Sequence, residues 1–170
     1  MPTVRRASAG EIVLIVRATL ATALSWQADR IPIVAGDAEV PHLLGDREVL
    51  IRVLGERPDR QAIDGAGRAV NRRERRIQVE CRTRLFLDVS HEDRLRLTHA
   101  SLGHLALEDT VCDALESLLP ADDSQNVLVA GVVRCQDLSD PKADHEAREW
   151  VSSKWSVELP YDRDLDLTRL

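Results

Sequence analysis

The alternation of apolar and polar side chains predicts one long β-strand near the middle of the chain, from Arg76 to Asp88. Apolar side chains occupy its odd positions except at Thr83, and polar side chains occupy its even positions except at Phe86. A repeat of two residues separates the side chains onto opposite faces of a strand, and no helix has this repeat. At roughly 3.3 Å per residue the strand is about 40 Å long. We therefore expect it to be the spine of an antiparallel sheet, with one apolar face and one charged face.

Three other segments have the patterns of strands. Arg47 to Leu54 alternates in the same way and is expected to pair with the spine, and Arg148 to Leu159 is expected to close the sheet. Asn126 to Cys135 is apolar on both faces, which suits a central position. The sequence therefore predicts four strands.

Two further segments carry apolar residues at the three- and four-residue spacing of amphipathic helices. The first begins at a capping box formed by Ser8 and Glu11 and continues to about Trp26. The second runs from Thr98 to Leu119 and is ended by Pro120. Together these elements predict an α+β fold, in which an antiparallel four-stranded sheet carries two main helices packed on one face and is joined by long loops.

The chain is expected to form a single domain over residues 1–170, with its core in residues 8–161. Residues 31–47 are rich in Pro, Gly and Asp and predict an irregular connection, with a short turn of helix near His42 to Leu44. Gln136 to Glu146 is polar and predicts an exposed loop. The charged tail, residues 162–170, is interpreted either as a frayed end or as an arm laid against a neighbouring subunit.

A long basic loop is predicted between the second strand and the spine, from Gly55 to Arg75. Loops of this length without structure of their own are usually functional or disordered. Its end is rich in arginine, at Arg68, Arg72, Arg73, Arg75 and the adjacent Arg76. These arginines belong either to a solvated hairpin loop or to a basic projection that touches a phosphate backbone or an acidic partner.

Composition narrows the class of protein. Hydrophobic residues make up 44% of the 170 residues and aromatic residues only 3%, so a mostly aliphatic core is expected. The net charge of -6 repels nucleic acid and anionic membranes unless a local basic patch compensates. Cys81, Cys112 and Cys135 form no Cys-x-x-Cys pair and are expected to be buried, reduced and inert. No apolar run approaches the length of a membrane span, which predicts a cytoplasmic protein without membrane contact.

The sequence contains no pattern typical of an enzyme or of a cofactor site. Phosphate-binding loops, dinucleotide fingerprints and the Gly-x-Ser-x-Gly nucleophile turn are all missing. His99 and His104 are five residues apart and do not share a helix face as zinc ligands do. Acidic clusters at Asp122 and near Asp137 lack the glycine of a calcium loop. We therefore expect no catalytic, metal or cofactor-binding residues.

Three stretches carry a resemblance to a known family. They are the spine from Arg76 to Asp88, the helix segment from Leu107 to Glu116, and the ending from Trp155 to Tyr161. With the order of the predicted elements, residues 8–161 resemble the tail terminator, or tail completion, proteins of long-tailed bacteriophages. The long 55–75 loop and the charged tail depart from the smaller members of that family.

The resemblance implies a virion protein of the tail or neck, assembled in the host cytoplasm and without enzymatic activity. It implies a homo-oligomer, usually a hexameric ring, that caps the tail tube protein and meets the head-tail connector or neck proteins. DNA would pass through the lumen without specific binding. On this interpretation the 55–75 loop, with Arg68, Arg72, Arg73 and Arg75, is the candidate for reaching the lumen or a partner.

Other interpretations remain open at this point. The nearest is a neck stopper or adaptor. A different one is a non-enzymatic α+β binding module whose arginines engage nucleic acid or an acidic protein, and a third is a small hydrolase with an unrecognised site.

Overall fold

A computed structural model describes residues 8–38, 45–59, 71–84, 98–118, 134–143 and 150–162 of the chain; for residues 134–143 we describe the backbone. These residues form an α+β fold. The elements, in chain order, are α1 (Ala9–Leu24), a 3₁₀ turn (Ala28–Arg30), β1 (Ile33–Ala35), β2 (Arg47–Asp59), β3 (Arg72–Arg84), α2 (His104–Glu116), β4 (Arg134–Ala143) and β5 (Trp150–Asp162).

Helix α1 begins at the predicted capping box. The backbone amide of Glu11 donates to the Ser8 hydroxyl at 3.2 Å, and the Ser8 amide donates to the Glu11 carboxylate at 3.5 Å. These bonds satisfy amides that the first turn leaves without an intrahelical partner. The helix ends at Leu24, where Ser25 takes a left-handed conformation with φ 54°. The predicted start is confirmed, and the end lies two residues before Trp26.

Among the described residues, the sheet has five strands in the order β1-β2-β3-β5-β4. The pairs β2–β3, β3–β5 and β4–β5 are antiparallel, whereas β1 pairs parallel to β2. The predicted four-stranded, purely antiparallel sheet is therefore wrong, and residues 31–47 are not wholly irregular. Strand β1 has three residues, which is too short to show a two-residue repeat in the sequence.

The central strand β3 confirms the predicted spine in its position and its alternation. Ile77, Val79 and Cys81 are all fully buried, and Val79 lies opposite Ile51 on one side and Trp155 on the other. The strand begins at Arg72, four residues before the predicted start, and residues 85–88 lie outside the described residues. Because β3 has apolar neighbours on both sides, the face that carries these three side chains is excluded from water.

The predicted loop from Gly55 to Arg75 is wrong at both ends. Strand β2 continues to Asp59 and β3 begins at Arg72, so that Glu56 lies opposite Arg75 in a long hairpin. A bulge between Val53 and Gly55 shifts the register. Because a bulge inserts one unpaired residue, it interrupts the alternation by which the strand was recognised.

The predicted loop from Gln136 to Glu146 is also wrong over most of its length. Strand β4 covers Arg134–Ala143 and pairs with β5, with register irregularities on either side of Ser139. A strand held by backbone hydrogen bonds at a sheet edge needs no apolar face, and Pro141 is tolerated there. Of the strand predicted at 126–135, only the last two residues are among the described residues. The turn predicted at 42–44 lies outside them.

Helix α2 is shorter than predicted, and begins after Gly103 rather than at Thr98. Side chains of both helices join those of β2, β3 and β5 in one hydrophobic core. The fully buried members include Ile12, Leu20, Ile31, Val49, Ile51, Ile77, Leu107, Val111, Val157, Leu159 and Tyr161. Neither of the described helices is both long and apolar enough to cross a membrane.

Candidate functional site

The arginines predicted for a basic projection lie mainly on the hairpin strand β3. Arg72, Arg73 and Arg75 belong to this strand, whereas Arg68 lies outside the described residues. Arg72 faces Asp162 across the β3–β5 pair, and its Nε donates to the carboxylate at 3.0 Å. The structure therefore places this arginine in a cross-strand ion pair within the sheet.

Arg73 and Arg75 share one carboxylate, that of Glu56 on β2. The Arg75 guanidinium donates to Glu56 Oε2 at 2.7 Å, and Arg73 Nε lies 3.6 Å from Glu56 Oε1. Arg73 also donates to the Asn71 side chain at 3.2 Å. Two guanidinium groups against one carboxylate leave an excess of one positive charge in this cluster.

The cluster contains buried polar atoms without hydrogen-bond partners among the described residues. They are Arg75 Nε and Glu56 Oε1. The pKa of Tyr161 is raised, first by burial and then by the charge of Glu56. Orphaned buried donors and acceptors cost free energy, so this cluster is less stable than a fully hydrogen-bonded one.

A groove of about 370 Å³ opens beside this cluster, between α1 and one edge of the sheet. Its described lining consists of Ala9, Gly10, Val13, Leu14, Ile33, Val53 and Arg75. Arg75 is the one charged residue among them. Leu14 is 49% exposed, and Leu54, next to Val53 on β2, is 43% exposed. We call this surface, formed by the seven lining residues, the α1 groove.

A second apolar surface lies at the start of α2, where Leu102 is 60% exposed and Leu105 is 40% exposed. Arg47 donates to the Ser101 carbonyl at 3.2 Å and therefore ties this start to the beginning of β2. The α1 groove meets β2 at Val53. Six residues of strand separate Arg47 from Val53, which corresponds to about 20 Å. The α2 surface and the α1 groove are therefore distinct.

His104, the first residue of α2, is fully buried. Its Nδ1 lies 2.9 Å from the Thr83 hydroxyl and its Nε2 lies 3.0 Å from the Ser153 hydroxyl. A neutral imidazole has one donor and one acceptor nitrogen, and a hydroxyl can serve either. Burial, followed by the charge of Arg47, lowers the pKa of His104 to about 4.

This arrangement contains a serine beside a histidine but is poorly suited to nucleophilic catalysis. Ser153 and His104 are both 0% exposed, so no substrate atom reaches the hydroxyl. The third partner is the neutral Thr83 rather than a carboxylate that would stabilise an imidazolium. The three side chains instead anchor α2 to β3 and β5.

A second buried polar group lies on the opposite face of the sheet. The Glu80 side chain is 2% exposed and is surrounded by Arg82 Nε at 2.8 Å, Arg52 Nε at 3.5 Å and Lys154 Nζ at 3.8 Å. Arg52 also donates to the Ala38 carbonyl at 2.8 Å, which connects the end of the β1 segment to the sheet. The three cations compensate the desolvated carboxylate.

The cysteines differ in their surroundings. Cys81 is buried, and burial raises the pKa of its thiol, which keeps it protonated. Cys112 is only half-buried on α2, so the expected burial is wrong there because it lies toward the outer side of the helix. The side chain of Cys135 lies outside the described residues. The described residues contain no group of three or more His, Cys, Asp or Glu side chains arranged to hold a metal ion.

Comparison of the sequence with protein-family models and with curated proteins finds no match. Sequence reasoning selected the arginines but missed Glu56, their shared partner, and the α1 groove. The sequence carries no signal for Glu56 as their partner, because the bulge between Val53 and Gly55 interrupts the alternation of β2 just before it. The groove could not be predicted from the sequence, because its lining residues come from α1, β1 and the hairpin strands, and these elements are far apart in the sequence.

Proposed function

We propose that this protein is a bacteriophage tail terminator, a structural subunit that forms a ring on the end of the tail tube and joins it to the head or neck. Its partners would be copies of itself, the tail tube protein and the head-tail connector or neck proteins. The proposal begins from the resemblance of the Arg76–Asp88, Leu107–Glu116 and Trp155–Tyr161 stretches to that family.

The observation that best supports a ring is the presence of two different exposed apolar surfaces. Leu14 belongs to the α1 groove, whereas Leu102 and Leu105 belong to the α2 surface about 20 Å away along the strands. Exposed apolar patches commonly mark interfaces. When two unlike patches meet head to tail, each subunit offers one of them to each neighbour, and the assembly can close into a ring.

The pairing of the hairpin arginines also suits a ring through which DNA passes. Arg72, Arg73 and Arg75 are each engaged with a carboxylate, in a chain of net charge -6. Three guanidinium groups face two carboxylates, so one positive charge is left uncompensated and attracts phosphate only weakly, which lets DNA pass without being held. The same pairing makes a nucleic-acid-binding module the poorer alternative. The segment between β2 and β3 in the sequence, which includes Arg68, is the candidate contact with the tube or lumen.

A mixing experiment tests the head-to-tail ring. Leu14→Ser alters the α1 groove and Leu102→Ser alters the α2 surface, and each variant alone should be monomeric by native mass spectrometry where the wild type forms rings. An equimolar mixture should form dimers and nothing larger, because only one intact groove and one intact α2 surface remain to pair. Ala23→Ser, at an exposed α1 position outside the groove lining, is the matched control and should form rings.

Two results would contradict the proposal. If the wild-type chain stays monomeric across the accessible concentration range, it does not form a ring. Variants that still form rings, alone or mixed, would show that these two surfaces are not the subunit contacts. Negative-stain microscopy of the wild type provides an independent view of ring formation.

A further inference from the structure

The two apolar surfaces that would meet in the proposed ring each carry an exposed leucine on a helix. Leu14 on α1 is 49% exposed, and Leu105 on α2 is 40% exposed. Residues three or four positions before or after each leucine lie on the same face of its helix. The charges at those positions therefore determine which alignment of the two helices is favoured.

Helix α1 carries opposite charges on the two sides of Leu14. Glu11 lies one turn before it and Arg17 one turn after it, and both side chains are partly exposed. The Glu11 carboxylate belongs to the capping box with Ser8, whereas the Arg17 guanidinium makes no ion pair with the described residues. The surface around Leu14 therefore changes from negative to positive in the direction of the chain.

Helix α2 is acidic on one side of Leu105 only. Asp109 lies one turn after this leucine and is exposed. The helix contains four acidic residues, all of them after Leu105, and no lysine or arginine. Residues 98–107 contain no acidic side chain and no lysine or arginine. The surface around Leu105 therefore becomes negative only in the direction of the chain.

Two alignments bring the leucines together, and they differ in their charge contacts. In a parallel contact, Arg17 of one copy lies beside Asp109 of the other, and Glu11 lies beside the start of α2, which has no acidic residue. In an antiparallel contact, Glu11 lies beside Asp109 and Arg17 has no acidic neighbour on α2. Opposite charges fix the register of an interface and like charges oppose the wrong register. The charges therefore favour the parallel contact.

We propose that α2 of one subunit packs parallel to α1 of its neighbour at the α1 groove, with Asp109 of one copy beside Arg17 of the other. The inference rests on the proposed ring and adds the direction of the helix contact within it. One direction at every contact is what a closed ring requires, because the same rotation relates each subunit to the next.

Exchanging the two charges tests the ion pair. Arg17→Asp and Asp109→Arg should each weaken self-association about tenfold at low salt, measured by sedimentation, because each change places two like charges together. A chain with both changes has the reversed pair at every contact and should associate as the wild type does. Glu116→Arg makes the same change of charge on the same face of α2, about 10 Å further along. As the matched control, it should not restore association to Arg17→Asp.

Cross-linking measures the alignment with every charge in place. Gly10 and Ala18 are exposed and lie one turn before and one turn after Leu14, and a Cβ at Gly10 meets no atom within 4 Å. The native Cys112 lies two turns after Leu105. In a parallel contact, Cys112 is about 5 Å along the helix axis from position 18 of the neighbour and about 16 Å from position 10. An antiparallel contact reverses these separations.

Two differently tagged populations are co-expressed for this measurement. One carries Ala18→Cys or Gly10→Cys together with Cys112→Ser, and the other keeps the native Cys112. After treatment with a short bismaleimide, a cross-linked dimer containing both tags is expected with Ala18→Cys and not with Gly10→Cys. This dimer should be lost when the second population also carries Cys112→Ser.

The outcomes separate this inference from the proposed function. Rings that cross-link through Gly10→Cys, or through neither position, would overturn the parallel contact and leave the ring standing. The parallel contact would also be overturned if the chain with both Arg17→Asp and Asp109→Arg associated no better than either single variant. A wild-type protein that remains monomeric would overturn both the contact and the ring.

Discussion

At the scale of single residues, the buried side chains of Glu80 and His104 are compensated by different means. The Glu80 carboxylate is surrounded by the cations Arg52, Arg82 and Lys154. His104 is paired with two neutral hydroxyls, and the lowered pKa shows that its environment favours the uncharged form. An uncharged buried histidine makes the fold sensitive to acid.

The pH dependence of stability follows from His104. Its pKa is about 4 in the folded protein, against 6.5 for an ordinary exposed histidine, so the unfolded chain binds the proton first as the pH falls. The free energy of unfolding should therefore decrease from pH 6.5 toward pH 4, by an amount on the order of 3 kcal/mol, and level off below. Urea denaturation at a series of pH values measures this decrease.

Two variants isolate the contribution of His104 to the pH dependence of stability. His104→Gln retains hydrogen-bonding capacity but does not titrate, so its stability should lack this part of the pH dependence. Thr83→Ser keeps both the histidine and a hydroxyl, and should behave as the wild type does. An undiminished slope in His104→Gln would assign the acid sensitivity to other groups.

At the scale of elements, termini and hairpins are held by local and cross-strand polar contacts. The Ser8–Glu11 capping box holds the start of α1, and Ala9 and Gly10 just after it line the α1 groove. The β2–β3 hairpin is held at its far half by the pairs of Glu56 with Arg75 and of Glu74 with Arg57. Loss of the cap should therefore affect both helix stability and the groove.

Ser8→Ala should lower the free energy of unfolding by about 1 kcal/mol, because the Glu11 amide loses its acceptor. Ser8→Asp supplies another acceptor and a charge that the helix N-terminus favours, and should restore most of the loss. Chemical denaturation followed by circular dichroism measures both changes. Equal stabilities for the alanine and aspartate variants would show that the cap does not contribute.

At the scale of the whole molecule, stability is expected to depend on assembly. If neighbours cover the α1 groove and the α2 surface, the associated form is stabilised by mass action and its melting temperature rises with protein concentration. Calorimetry over about a hundredfold range of concentration should show this rise for the wild type, and Leu102→Ser should abolish it. A melting temperature independent of concentration in the wild type would contradict assembly through these surfaces.

The sequence alone predicted the elements whose own side chains form a recognisable pattern. The alternation of Ile77, Val79 and Cys81 identified β3, and the Ser8–Glu11 pair identified the start of α1, because burial of a face and satisfaction of a helix end are local requirements. The α+β class followed from these elements.

Only the tertiary structure decided the edges of the sheet and the surroundings of the arginines. Strand β1 is too short for a repeat, and the polar β4 is held by backbone bonds to β5, so neither needs an apolar pattern in its own sequence. Arg72 and Arg75 were recognised as charges, but their neutralisation by Asp162 and Glu56 depends on strand register. The spacing of apolar residues predicts which face of an element is buried. Pairing partners and grooves, in contrast, depend on residues that are far apart in the chain.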